Sequence, residues 1–427
     1  MLLCGLAETD ITPPLGSSIP GSTAERKGSG ISDPLFAKVW AVEAEQATLI
    51  FIVIDGLFIP GKEADLIRER IYAHAGLKPE QIIVSATHAH TGPPVRIGLD
   101  GSDNSAYLAE LVQKVSAAAA DAYDRRKPAV IGWGAGHVDD VSFNRRYWMK
   151  DGTLRTNPGY SNPDIVRPAG PIDPLVHVIR IDDADGTPMG VFTNFACHPD
   201  TVGGTLYGGD YPAVLSRELK ARLGSDVVSL FALGACGDIN HCDFSKERQS
   251  GVTERIGRRL AEEVLQVREK ISLHASADAA AVRTFIEMEL REPTAEELIH
   301  ARSVVEGGTI VGPERFFADQ ILQVSRMSGG KVQLEIQAVR LGDFAYVGLP
   351  GEIFVELGLA IKQASPYAHT AVGALTNGSI YGYVCTAEAY EQGGYEPRLK
   401  TFNRLLPGTG ERMVEAAGQL LQKIGKE

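Results

Sequence analysis

Short apolar runs recur along the chain, and several of them stop at a turn that carries a polar, chemistry-bearing residue. Gln81-Ile82-Ile83-Val84 reads as a buried strand and leads into Ser85-Ala86-Thr87-His88-Ala89-His90-Thr91-Gly92-Pro93-Pro94, whose prolines end any regular element. Residues 188–196 form a second such run and deliver Ala196-Cys197-His198-Pro199-Asp200. A third, 226–233, ends in Gly234-Ala235-Cys236-Gly237-Asp238-Ile239-Asn240-His241. A fourth, 344–348, leads through Leu349-Pro350-Gly351 to Glu352, where helical spacing begins over 353–364.

Between these runs the pattern alternates between strand and helix. Residues 2–8 predict an opening strand, and 36–45 and 47–55 predict two more joined by a tight turn. Residues 62–76 carry helical spacing with a Gly76 stop, so 47–55, this helix and 81–84 predict a βαβ crossover. Further helices are expected at 105–125, 210–223, 251–270, 294–306 and 409–424, and further strands at 128–139, 174–182, 278–290, 331–340 and 369–376. Asp210 reads as an N-cap with Pro212 in the first turn. The segment 307–330 fits neither period. Gly/Ser-rich 16–32 and Pro-containing 150–172 are long polar loops, a kind of segment that often carries function. The expected architecture is α/β, a mixed β-sheet core flanked by helices, as a single domain over 1–427.

Composition narrows the function. The chain of 427 residues is 44% hydrophobic and 22% charged, ample for a buried core. A net charge of −12 offers no basic field for nucleic acid or anionic membranes. No stretch reaches the roughly 20 apolar residues that span a bilayer. The first residues lack a basic n-region, so a cytoplasmic location is expected. Five cysteines without a CxxC pair fit a reducing compartment. The expected partner is a small-molecule substrate, with oligomeric state open.

Strand ends gathered at one edge of a sheet bring their residues into one cleft. His88 and His90 sit at i and i+2, so extended backbone would point both the same way. Taken alone, Thr-His-Ala-His is equally a loop with two hydrogen-bonded histidines, and Glu352 is equally a carboxylate favoured by a helix N-terminus. His74, His274, His300 and His369 lie in plain helix or strand contexts. The repetition of one design, at His88/His90, at His198, at Asp238 with His241 and at Glu352, is what points to a metal-assisted site.

These residues carry a resemblance. The chain resembles the catalytic domain of the neutral/alkaline non-lysosomal ceramidases, zinc-dependent amidases. It does so in Gly5-Leu6-Ala7-Glu8-Thr9-Asp10-Ile11-Thr12-Pro13-Pro14, Thr87-His88-Ala89-His90-Thr91-Gly92-Pro93, Phe143-Asn144-Arg145 and Asn194-Phe195-Ala196-Cys197-His198-Pro199. It does so again in Gly209-Asp210-Tyr211-Pro212, Gly237-Asp238-Ile239-Asn240, Leu349-Pro350-Gly351-Glu352 and Gly382-Tyr383-Val384-Cys385-Thr386, with Glu388 and Tyr390 after it. The resemblance implies a zinc ion held by His88, His198, Glu352 and Tyr383, with Tyr381 a near alternative for the tyrosine. It implies His90 as a proton-transfer group beside the ion and Arg145 as a stabiliser of charge on the carbonyl oxygen. Asp238 and Asn240 join His90 and Arg145 as candidate catalytic residues. Arg26, Tyr381 and Tyr395 are the candidate substrate contacts.

Two departures bear on substrate. The family's Gly-Asp-x-Ser-Pro reads Gly237-Asp238-Ile239-Asn240-His241 here, and from its length the chain is expected to lack the family's carboxy-terminal Ig-like domain. The polar loops suit a smaller or more polar amide or ester than ceramide. Two other readings stand beside the zinc hydrolase. One is a thiol enzyme using Cys236 or Cys242 with His241. The other is a non-catalytic binding protein of the same fold.

Overall fold

A computed structural model describes the chain except residues 97, 99, 309, 310, 328, 379–381, 426 and 427. Period-two alternation in the first strands decides the layering. In Phe36–Glu43 and Thr48–Ile54, Trp40, Val42, Phe51 and Val53 face one core, while Val39, Ala41, Ile50 and Ile52 face another. Both faces are apolar, so both must be covered. Helices Gly61–Ala75 and Ser105–Asp124 cover the second face, with Ile67, Ile71, Leu111 and Val115 in that core.

These strands belong to an eight-stranded mixed sheet. Its order is Val228–Leu233, Pro188–Phe195, Leu175–Asp183, Lys127–His137, Leu3–Asp10, Phe36–Glu43, Thr48–Ile54 and Ile82–Ala86. The pairs at the two ends are parallel and the rest are antiparallel. The parallel pair 48–54 and 82–86, joined through helix 61–75, is the expected crossover. A second sheet orders Ala279–Glu289, Lys331–Leu341, Phe344–Gly348 and His369–Gly373. Its Val339, Leu341, Phe344 and Tyr346 pack on Trp40, Phe51 and Phe192 of the first. Aromatic rings lock the seam, with Trp40 stacked on Phe51 at 5.1 Å and Tyr346 edge-on to Phe51 at 5.9 Å. Helices Val355–Ala364 and Thr409–Lys423 lie against the outer face of the second sheet.

The strands that precede His88 and His198 lie near opposite edges of the large sheet. What brings their ends together is the turn after strand 369–373. Ala374 N–H bonds Leu233 O at 2.9 Å on one edge, and Asn377 N–H bonds Val84 O at 2.6 Å on the other. Asn377 Oδ1 accepts from Val84 N at 3.1 Å, and Asn194 Nδ2 bonds both Ala232 O and Val372 O at 3.0 Å. The sheet therefore curls around the second sheet, and four chain segments meet at one rim.

Three features differ from the sequence expectation. Residues 307–330 contain a helix, Pro313–Val324, which packs on helix Ala295–Glu306 through Ala301, Val304 and Ala318. Residues in 146–168 form a small sheet from Arg146–Met149, Leu154–Thr156 and Ile165–Pro168. Asp210 is the first helical residue rather than the cap, with φ of 57°, and its carboxylate accepts from Thr201 and Val202 N–H groups. No helix among the described residues is long and apolar enough to cross a membrane.

Candidate metal centre

Strand 82–86 stops at Ala86, and His88 adopts a left-handed conformation with φ of 70°. The extended geometry assumed for His88 and His90 therefore breaks between them. Their rings nevertheless converge, because each is held by its own carbonyl. His88 Nδ1 lies 2.7 Å from Leu57 O, His90 Nδ1 3.2 Å from Gly21 O, and His198 Nδ1 3.4 Å from Cys236 O. A carbonyl oxygen only accepts, so each Nδ1 carries the proton and each Nε2 presents a lone pair.

The three Nε2 atoms face one another. His88 to His198 is 3.1 Å, His90 to His198 is 3.3 Å, and His88 to His90 is 3.4 Å. Glu352 Oε2 stands 3.4 Å from His88 Nε2 and 3.9 Å from His198 Nε2. That oxygen is buried and has no hydrogen-bond partner. Lone pairs pointed at one another, beside an orphaned carboxylate oxygen, repel unless a cation lies between them. A tetrahedral ion with ligands at about 2.0–2.1 Å separates ligand atoms by about 3.4 Å, so the donor set and its spacing fit a metal. The ligand atoms of His88, His90 and His198 all lie within 4.8 Å of one another, which makes the group a candidate metal site.

Electrostatics agree. Burial, then the neighbouring His88, lowers His90 from its ordinary value to about 4. Burial, with His88 and Arg145 adding to it, holds His198 well below the usual imidazole range. Both are neutral near pH 7, as ligands must be. Burial would raise Glu352, but His88, His198 and Arg145 outweigh it and hold the carboxyl far below its ordinary value.

Close packing places these groups. Gly21 has φ of 93°, and a Cβ there would sit 2.9 Å from His90 Nδ1. A Cβ on Gly237 would come within 2.5 Å of Glu352 O. Glu352 and Tyr383 are paired in a short parallel bridge, Glu352–Ile353 with Tyr383–Val384. Tyr383 thereby reaches the wall of a cavity of about 370 Å³ that opens onto His88, His90 and Glu352. Burial and the Glu352 charge push the Tyr383 phenol well above its usual range, so it keeps its proton. Tyr395 lines the same cavity, its ring edge-on to Tyr383 at 5.8 Å.

The other expected site residues stand behind this set. Arg145 Nε bonds Glu396 Oε1 at 2.9 Å, its Nη2 bonds Gly237 O at 2.6 Å, and its guanidinium lies 5.4 Å from the Tyr383 ring centre. Arg26 Nη2 bonds His90 O at 2.6 Å and Pro20 O at 2.7 Å, bracing the histidine from its backbone side. Asp238 turns away from the imidazoles. Its oxygens accept from Val355 N, at the start of helix 355–364, and from Asn144 Nδ2. Asn240 bonds Asn157 Oδ1 and accepts from Cys242 N. Both tie the 237–240 turn to neighbouring segments. Tyr381 lies outside the described residues. Sequence reasoning missed helix 313–324 as a cavity wall, although Phe316, Gln320 and Gln323 line it. It also missed the three carbonyls that orient the histidines, for which no sequence signal exists.

Comparison with known proteins bears on the fold. Residues 2–210 match the family described as neutral/alkaline non-lysosomal ceramidase, N-terminal. The chain is neutral-ceramidase-like. Its fold is that of the neutral ceramidase from Pseudomonas aeruginosa, at 20% identity and a TM-score of 0.74 over 99% of this chain and 75% of that one. A ceramidase complexed with C2 is similar at 18% identity and a TM-score of 0.75, over 99% of this chain and 76% of that one. No curated protein matches the ceramidase-like chain.

Proposed function

We propose that this protein is a zinc-dependent hydrolase that cleaves an amide, or an ester, in a substrate smaller or more polar than ceramide. The observation that carries the reading is the convergence of three deprotonated Nε2 atoms and an unpartnered Glu352 oxygen at the head of a cavity. Mixed nitrogen and oxygen donors at this spacing favour zinc. His88, His90, His198 and Glu352 are assigned as its ligands. The closeness of His90 Nε2 to the other two nitrogens supports its place in the set, whereas the resemblance implies a proton-transfer role for His90 and Tyr383 as the fourth ligand.

When bound, the ion supplies a Lewis acid for the scissile carbonyl and brings an attacking water into range at neutral pH. The protein's own groups do the remainder. Tyr383, kept protonated, donates from the cavity wall to the oxygen on which charge develops. Arg145, held rigid by Glu396 and Gly237 O, places a fixed positive charge behind that phenol. Leu57 O, Gly21 O and Cys236 O hold the imidazole protons away from the reacting centre. The likeness in fold to ceramidases, named for hydrolysis of an amide, supports the bond type.

Metal analysis of protein purified without added metal tests the reading, together with turnover of an amide and ester panel before and after chelation. Chelator-sensitive turnover and about one zinc per chain are expected. Zinc below about a tenth of an equivalent, with none taken up on titration, refutes it. Such turnover would also exclude a purely binding role.

A second reading has one observation in its favour. Cys242 Sγ lies 3.3 Å from His241 Nε2, and His241 Nδ1 lies 3.1 Å from Asp200 Oδ1. Cys236 drops out of that reading, since burial pushes its thiol well above the ordinary range. Alkylation of Cys242 that leaves turnover intact removes the thiol mechanism.

A further inference from the structure

The cavity that opens onto the histidines has an uneven wall. Phe58, Phe316 and Phe402 make one part apolar, while Ser22, Thr23 and Arg96 make another polar. Arg96 is the one Lys or Arg among its described lining residues. Other arginines near the site already have their donors engaged. Arg145 and Arg146 share Glu396, at 2.9 and 3.2 Å. Arg26 is spent on three backbone carbonyls. Arg96 is half-buried, and among the described residues no carboxylate forms an ion pair with its guanidinium; Glu25 acts on it only through its charge. A guanidinium drawn out of water without a partner costs free energy, and a planar fork of donors fits a carboxylate better than any other common group.

We propose that the substrate is an N-acyl amino acid: an amide with an apolar acyl side and a carboxylate held by Arg96. The acyl side rests on Phe58, Phe316 and Phe402, and the carboxylate lies toward Ser22 and Thr23. In the reaction, water oxygen bonds to the acyl carbon, the C–N bond breaks, and the nitrogen leaves with a proton. The products are a free carboxylic acid and an amino acid, with no redox partner needed. Turnover of this substrate rests on the zinc hydrolase reading, whereas recognition of its carboxylate does not.

The experiment separates the two. N-(octylsulfonyl)glycine and its carboxamide differ only in charge at the far end, and the sulfonamide bond is not hydrolysed. Calorimetric binding of each is measured on the full zinc-loaded protein and on Arg96→Ala. The acid is expected to bind about tenfold or more tightly than the carboxamide, a preference that Arg96→Ala abolishes while carboxamide affinity stays unchanged. Equal affinity for the two probes, binding of neither, or a preference that survives Arg96→Ala overturns the proposal. The acid–carboxamide comparison on the unaltered protein stands even if the variant fails to fold. N-octanoylglycine is then offered as substrate. Carboxylate-selective binding without cleavage would refute the hydrolase reading and leave Arg96 in its role. Cleavage of N-octanoylglycine and its carboxamide at equal kcat/KM, with equal binding of the probes, would do the reverse.

Discussion

Glu352→Gln is the sharpest perturbation of the centre, because it keeps the side chain's volume and removes one charge. Glu352 Oε2 lies 3.4 Å from His88 Nε2 and has no hydrogen-bond donor of its own. A unit charge acting at about 4 Å in a medium of effective dielectric ~20 contributes about 4 kcal/mol. A doubly charged ion raises that figure, and its lost hydration offsets the rise. At about 1.4 kcal/mol per tenfold, zinc affinity should fall by about a thousandfold. Competition against a chromophoric chelator measures the Kd of both proteins, with circular dichroism to confirm that the variant is folded. A Kd within about threefold of the unaltered protein would refute the placement of Glu352 on the ion. Retained affinity in His90→Ala would likewise remove His90 from the ligand set while leaving His88 and His198 in it.

Three further perturbations test the surroundings. Arg26→Ala removes the brace on His90 O and should lower kcat by about tenfold with KM little changed, read from steady-state kinetics. Arg68→Met leaves Glu335 without its two-pronged partner at 2.8 and 2.9 Å in a buried setting, so stability should fall by about 3–5 kcal/mol in denaturant unfolding. His241 is opposed by burial, yet its bonds to Asp200 and Cys242 raise it from 6.5 to about 10. The folded protein therefore binds a proton that the unfolded chain releases above its ordinary pKa. The stability from His241 is complete below pH 6.5 and is lost as pH climbs through about 10. The Tm difference between the unaltered protein and His241→Gln should shrink across that window, and a difference independent of pH would contradict the pairing.

Much of the fold was legible because its strands are buried on both faces. Runs such as 49–54 and 230–233 are apolar throughout, and the turns after them bring in Asp55 and Asp238. Helix 313–324 was illegible for a physical reason. It is only 12 residues long, it buries Phe317, Ala318 and Val324, and Phe316 beside them faces the cavity, so its apolar stripe is short and blurred by an adjacent aromatic. In the site, His88, His198 and Glu352 were each readable as a polar residue at a strand end. The path to His90 was not, because the left-handed turn at His88 replaces the extended backbone that the i, i+2 argument assumes. Nor does sequence spacing show that Asp238 would be consumed by Val355 N and Asn144, or that Arg26 would face backbone carbonyls. Those outcomes depend on which segments the curled sheet brings into contact.

The curl has one more consequence. His88 and His198 are separated by 110 positions in the chain but by 3.1 Å in space, and Glu352 adds a third distant segment. An ion bound there is a crosslink across the fold, closing loops as long as those for which a disulfide would remove about 4–5 kcal/mol of unfolded-chain entropy. Its ligands, and the carbonyls behind them, lie at the seam where the edges of the large sheet are stitched by the turn after strand 369–373. Release of the ion thus requires the seam to part, and metal exchange should keep pace with hydrogen exchange of the Ala374 and Asn377 amides rather than with that of surface loops.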